Sequence, residues 1–445
     1  MTLSHSDRTV VTRLVRRDVE ETLAGLKTTI SASRWVTNSN RYASDPVAVI
    51  GDEIARNSPH QLSHLAQYIA ASPILHATDG WTYLGKSLVA LLRGDPHRAI
   101  HLAYYAELRA AAALLATEGI GVFSKHHFAV NGKNSVRRFQ SSLGTHQFAW
   151  ACLEHWATLT SASYLFSRMI RPQGIPLEDW FNSEGGASAV APQAQAWFRL
   201  WGIDLRNFGD DRDARNLSSY QPDGIPLSWQ IDARDALEFA RDLWASLEPS
   251  PLASFDAIDR NILRIALETR FKAKTGSTPH SQAARFQSFV EGIVRSQGLS
   301  PAVEKELIRY LLRGSSPHDA IVFKYAGTSA SDPGVGAHSV ISRATLLLRL
   351  ASGSSQLLLR AANIDAAAVT FWSEGLGRSR GLWDSPLADP MDMWADVSEL
   401  LEQVEAFQQR YTLPDQTFFK IRSELSEALI GMAASERVAI WTMTP

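Results

Sequence analysis

The chain has a single cysteine in 445 residues, Cys152. A lone thiol excludes an intramolecular disulfide framework and any zinc or iron–sulfur site built from several thiolates. Cys152 lies in the apolar run Phe148-Ala149-Trp150-Ala151-Cys152-Leu153, so a buried, inert thiol is expected. Excess charge of one sign is also missing. Lys+Arg number 44 and Asp+Glu 46, and a net charge of −2 advertises neither nucleic acid nor an anionic membrane over the molecule as a whole. No window reaches about 18 uncharged apolar residues, so no transmembrane helix is expected. Residues Met1–Arg8 lack the apolar stretch of a signal peptide, and the expected location is the cytoplasm. No metal and no cofactor are expected.

What is present is helical periodicity. In residues 9–30, Val11, Leu14, Val15, Val19, Leu23, Leu26 and Ile30 share one stripe, and similar patterns recur at 60–72, 81–93, 97–117, 146–169, 232–247, 255–274, 282–297, 302–313, 340–351 and 393–411. Strand-like segments are few; Val122–Phe128 and Ala320–Tyr325 are the best. Residues 170–195 are rich in Pro, Gly and Ser and read as a boundary. The expected fold is all-α: an irregular multi-helix bundle in two units, 1–250 and 251–445, with a few short strands.

Gly80-Trp81-Thr82-Tyr83-Leu84-Gly85-Lys86-Ser87 matches the phosphate-loop pattern letter for letter. Its variable positions are too bulky for an anion nest, no strand precedes it, and Trp81, Leu84, Leu88, Leu91 and Leu92 share a helical face. A helix is therefore expected there. The pairs His60/His64 and His97/His101 have the i,i+4 spacing of a zinc site, but neither carries the Glu of a metallopeptidase. Gly375–Gly381 reads as a basic, glycine-rich loop.

Between Glu118 and Glu154 no acidic residue occurs, whereas Lys125, Lys133, Arg137 and Arg138 are interleaved with Phe123, His126, His127, Phe128 and Phe139. Cations neutralise phosphates and aromatic faces stack on bases, so these four are the expected nucleic-acid contacts. A second acid-free span, Val335–Ile364, holds Arg343, Arg349 and Arg360.

Asp213-Ala214-Arg215-Asn216-Leu217-Ser218-Ser219-Tyr220 resembles the motif of the HEPN superfamily of helical proteins, in which Arg and a polar residue precede His by a few positions. The family's members are often metal-independent ribonucleases of prokaryotic defence that pair two motifs in a dimer. The resemblance implies that Arg215 binds a scissile phosphate and Asn216 orients it. Here Tyr220 stands where the family has its basic His, and a phenol with a pKa near 10 is a poor base at neutral pH. Arg313 and His318 have the family spacing too, across a Gly-Ser-Ser-Pro break. Arg215 is expected to be held by Asp210, Asp211 or Asp213.

The resulting expectation is a non-catalytic helical component of a bacterial intracellular assembly, in antiviral defence, with protein partners and nucleic-acid contact. The alternatives are a metal-independent HEPN-like ribonuclease and a phosphate-loop nucleotide switch.

Overall fold

A computed structural model describes residues 2–192, 207–220, 231–314, 319–332, 334–384 and 392–443. Helices dominate it, and the described strands form one small antiparallel sheet. The architecture is thus the expected all-α bundle with few strands.

The centre is a helical hairpin, Leu62–Leu92 and Pro96–Thr117. Its turn is made by Gly94 at φ +76° and by Asp95, whose side chain caps the second helix by accepting from the Arg98 N–H at 2.9 Å. The periodic stretches at 60–72 and 81–93 are one 31-residue helix that runs through Pro73. Proline removes the N–H that would bond the Ile69 carbonyl, and the Ser72 hydroxyl donates to that carbonyl instead, at 2.9 Å.

A third helix, Gly336–Ala361, packs on both members of the hairpin, and every residue from Gly336 to Ser355 is buried. Most of its hydroxyls are tolerated because they find partners; Ser342 Oγ is the exception among the described residues. Thr345 and Ser355 bond back one turn, Ser352 accepts from Trp81 Nε1 at 3.0 Å, and Ser354 accepts from Arg16 Nη1 at 2.9 Å. One buried apolar cluster runs from Leu3 to Met443, and the terminal helix Glu436–Met443 also packs on Leu62–Leu92. The division expected at residue 250 falls inside this shared core.

Several local expectations are corrected. Ala320–Tyr325 is not a strand but the start of the helix Ile321–Ala326, which buries Val322 and Ala326 one turn apart. Short apolar runs satisfy either period, so the neighbours decide. Val122–Phe128 spans two strands rather than one. They are β1 (Ile120–Phe123) and β2 (His126–Gly132), joined through Ser124 at φ +52°, and β3 (Ser135–Arg138) completes the sheet in the order β1-β2-β3. Residues 9–30 break into His5–Thr12, Arg16–Ala24 and Lys27–Ser31, leaving Val15 exposed. Residues 146–169 form two helices, Thr145–Trp156 and Thr160–Met169. Gly375–Gly381 is not a loop: it closes the helix Ala366–Arg380, with Gly381 as its left-handed cap. The stretch read as a boundary sends Leu177, Trp180 and Phe181 fully into the core; its residues 193–195 lie outside the described ones. Cys152 is buried, and burial pushes its thiol pKa up. Among the described residues no helix is long and apolar enough to cross a membrane.

Candidate functional site

The helix Asn207–Tyr220 carries the Arg-Asn motif and packs on Pro96–Thr117. It is anchored by Asp211, which is fully buried and accepts from Arg343 Nε at 2.8 Å and Nη2 at 2.5 Å. The other end of the Arg343 guanidinium donates to the carbonyls of Ala326 and Thr328, at 2.9 and 2.7 Å. Glu107, also fully buried, has its carboxyl 3.9 Å from Arg343 Nε. Burial, reinforced by the Asp211 charge, holds Glu107 well above the usual carboxylate range, so it stays protonated beside the Asp211–Arg343 pair.

One turn after Asp211, Arg215 lies on the same helix face. Its guanidinium carbon is 5.4 Å from the Tyr104 ring centroid and 5.6 Å from that of Tyr105, and Nη1 donates to Asn216 Oδ1 at 2.9 Å. The expected local acids are engaged elsewhere or unbonded to it. Asp211 is taken by Arg343, Asp213 accepts from Arg212, and Asp210 is exposed. Two aromatic faces meet the guanidinium, and among the described residues no carboxylate pairs with it.

Two histidines flank Arg215. His146 Nδ1 shares a hydrogen bond with the Tyr104 hydroxyl at 2.9 Å, its ring stacked on Tyr104 at 5.5 Å, and His101 Nδ1 shares one with Ser219 Oγ at 3.0 Å. Trp150 Nε1 also donates to the Tyr104 hydroxyl, at 3.2 Å. Burial and then the Arg215 charge lower the pKa of both histidines, which keeps them neutral at pH 7. Tyr220 is not part of this group; it is 83% exposed. The motif's own residues thus supply a cation and an amide, and imidazoles arrive from the helices Pro96–Thr117 and Thr145–Trp156. His101 was legible only as half of a metal pair, because its proximity to Arg215 spans more than a hundred residues of chain.

A phosphodiester cut without metal needs a base for the 2′-hydroxyl and an acid for the leaving 5′-oxygen. The arrangement offers two neutral imidazoles, hence two bases and no charged acid.

The four predicted nucleic-acid cations lie on the sheet and its turns. Lys125, Lys133, Arg137 and Arg138 are all exposed, and none of them meets a carboxylate among the described residues. Lys125 and Lys133 flank the two ends of β2, roughly 26 Å apart by strand rise. Arg137 and Arg138 sit between them along the edge strand, with Arg138 Nη2 2.9 Å from His126 Nδ1. Arg137 and Arg138 are neighbours on one strand and so face opposite sides of the sheet, and the four cations do not form a compact cluster. From the second acid-free span, Arg343 and Arg349 are buried and paired with Asp211 and Asp259, which removes them from any nucleic-acid surface.

The remaining motifs have structural explanations. Gly80–Ser87 is mid-helix, with its N–H groups committed to the helix. Among the described residues no group of three or more His, Cys, Asp or Glu could hold a metal ion. His60 instead bonds Glu53 at 2.7 Å, and His64 Nδ1 accepts from the Arg41 N–H at 3.4 Å. Arg313 pairs with Glu268 and Asp319, and His318 lies outside the described residues. Compared with protein-family models, curated proteins and solved structures, the chain matches none.

Proposed function

We propose that this chain is a non-catalytic helical component of a bacterial intracellular assembly that contacts nucleic acid along the hairpin β1–β3. The observation that carries the reading is that Lys125, Lys133, Arg137 and Arg138, on the sheet and its turns, are each exposed and without carboxylate partners among the described residues. Cations already paired with acids have little to gain from a phosphate; these have everything to gain. The defence setting rests on the resemblance of Asp213–Tyr220 to the HEPN motif. A protein partner is supported by Phe419 and Ile430, 80% and 70% exposed on the helices Phe418–Glu424 and Ser426–Met432.

The test is binding of labelled single-stranded RNA between low and moderate salt. Replacing all four cations with Glu is expected to weaken binding and to reduce the slope of log affinity against log salt by up to about 3. Unchanged affinity and slope would remove the hairpin as the contact.

A second reading, metal-independent RNA cleavage, is favoured by His101 and His146 beside Arg215. One imidazole would take the 2′-hydroxyl proton as that oxygen attacks phosphorus, and the departing 5′-oxygen would take a proton from water. Incubation of RNA with the protein in EDTA decides between them. Intact RNA is expected. Cleavage that disappears in both Arg215→Ala and His146→Gln, with melting temperatures preserved, would install the enzyme.

A further inference from the structure

A separate cavity of about 250 Å³ lies between the end of the helix Thr160–Met169, the segment Pro249–Phe255, the central helix and the terminal helix. Among the described residues three guanidiniums line it, those of Arg171, Arg349 and Arg360, with a single carboxylate, that of Asp259. Asp259 is spent on Arg349, accepting from Nε at 2.8 Å and Nη2 at 2.6 Å. Nη2 also reaches the Met169 carbonyl, while Nη1 has no acceptor among the described residues. Neither Arg171 nor Arg360 has a side-chain acceptor there either. Burial, followed by the Arg360 charge, lowers the pKa of Arg171. The Trp441 indole N–H, on the same wall, is buried without a hydrogen-bond partner among the described residues. Gly353 keeps the space open, since a Cβ there would come within 2.5 Å of Arg349 Nη1.

Three guanidiniums against one carboxylate leave a local charge of about +2 and several unused donors, which describes the complement of a dianion. The volume lies just under the range of about 300–1,000 Å³ typical of drug-sized sites, so the ligand is small. We propose that this cavity binds a small organic phosphate monoester, with Arg171, Arg349 and Arg360 around the phosphate and Leu252 and Trp441 against the organic group. Arg349 is fixed by Asp259 before any ligand enters, so the site is pre-organised. Arg349 and Arg360 are eleven residues apart on one helix, three turns and therefore one face; that signal is in the sequence, whereas Arg171 is brought to them only by folding.

Calorimetric titration with phenyl phosphate, inorganic phosphate, phenol and a 5′-phosphorylated oligonucleotide tests the proposal. Saturable binding of phenyl phosphate, weaker binding of inorganic phosphate and none of phenol are expected. Arg360→Ala, at an exposed position that leaves the fold intact, is expected to weaken phenyl phosphate about tenfold or more, and Arg171→Gln similarly. The quadruple hairpin variant keeps full affinity for phenyl phosphate, which separates this site from the nucleic-acid reading. No saturable binding of phenyl phosphate, affinity unchanged in Arg360→Ala, or binding of the oligonucleotide end alone would each overturn it.

Discussion

Glu107 places a second buried carboxyl beside the Asp211–Arg343 pair that anchors the motif helix. Two buried carboxyls face one buried guanidinium, and the arrangement is stable only when one carboxyl stays neutral. From its ordinary pKa of 4.5 upward, the unfolded chain releases the Glu107 proton while the folded protein keeps it. Unfolding free energy therefore falls with rising pH through this group, until Glu107 ionises in the folded state. Glu107→Gln keeps the shape and the neutral charge in both states. Urea unfolding at pH 5 and pH 8 is expected to show the wild type losing ground to this variant as pH rises; parallel behaviour would place the proton elsewhere. Asp211→Asn strands the Arg343 charge, and a loss of about 3–5 kcal/mol is expected from the same measurement. None of this was visible in the sequence. Asp211 read as a partner for Arg215 because they are neighbours on one helix, whereas its actual partner lies 132 residues away.

The helix Leu62–Leu92 explains why a phosphate-loop spelling occurs without a phosphate loop. Gly80 is small because a Cβ there would come within 2.5 Å of Leu348 Cδ2 on the central helix, and Gly85 because a Cβ would overlap the Ala433 carbonyl oxygen. Lys86 reaches over the Tyr83 ring at 5.8 Å, and the Ser87 hydroxyl donates to the Ala99 carbonyl at 2.7 Å. Each letter of the motif thus has a packing or hydrogen-bonding role. Gly85→Ala is expected to destabilise the protein by about 1–3 kcal/mol, since a backbone carbonyl cannot move aside as a side chain would. Lys86→Ala, by contrast, is expected to stay within about 0.5 kcal/mol of wild type. Thermal melts of the two variants check both; equal shifts would contradict this account. The helix itself was legible from its leucines. Its glycines were not, because their reasons sit on helices that arrive more than two hundred residues later. Ala320–Tyr325 failed for a related reason: six residues, five of them apolar, contain too few periods to choose between strand and helix.

At the scale of the whole molecule, the central helix Gly336–Ala361 belongs by sequence to the second half and by packing to the first. Helical class and most helix positions followed from periodicity. The interleaving did not, because the stripe at 340–351 announces a helix but not its partners, and burial on every side from Gly336 to Ser355 leaves no solvent face to orient it. A shared core predicts that both halves unfold together, in one calorimetric transition whose midpoint agrees with far-UV circular dichroism. Two separated transitions would show 1–250 and 251–445 as independent units.

The burial of Cys152 gives the experimenter a clean slate. With the one native thiol sealed in the core, a cysteine engineered at an exposed site such as Lys125 or Arg360 becomes the sole group that a maleimide dye or a spin label can reach in the folded protein. Each surface argued for above can therefore carry its own reporter without first stripping the chain of sulfur. Slow labelling of the unmodified protein then serves as a clock for how often the whole core opens.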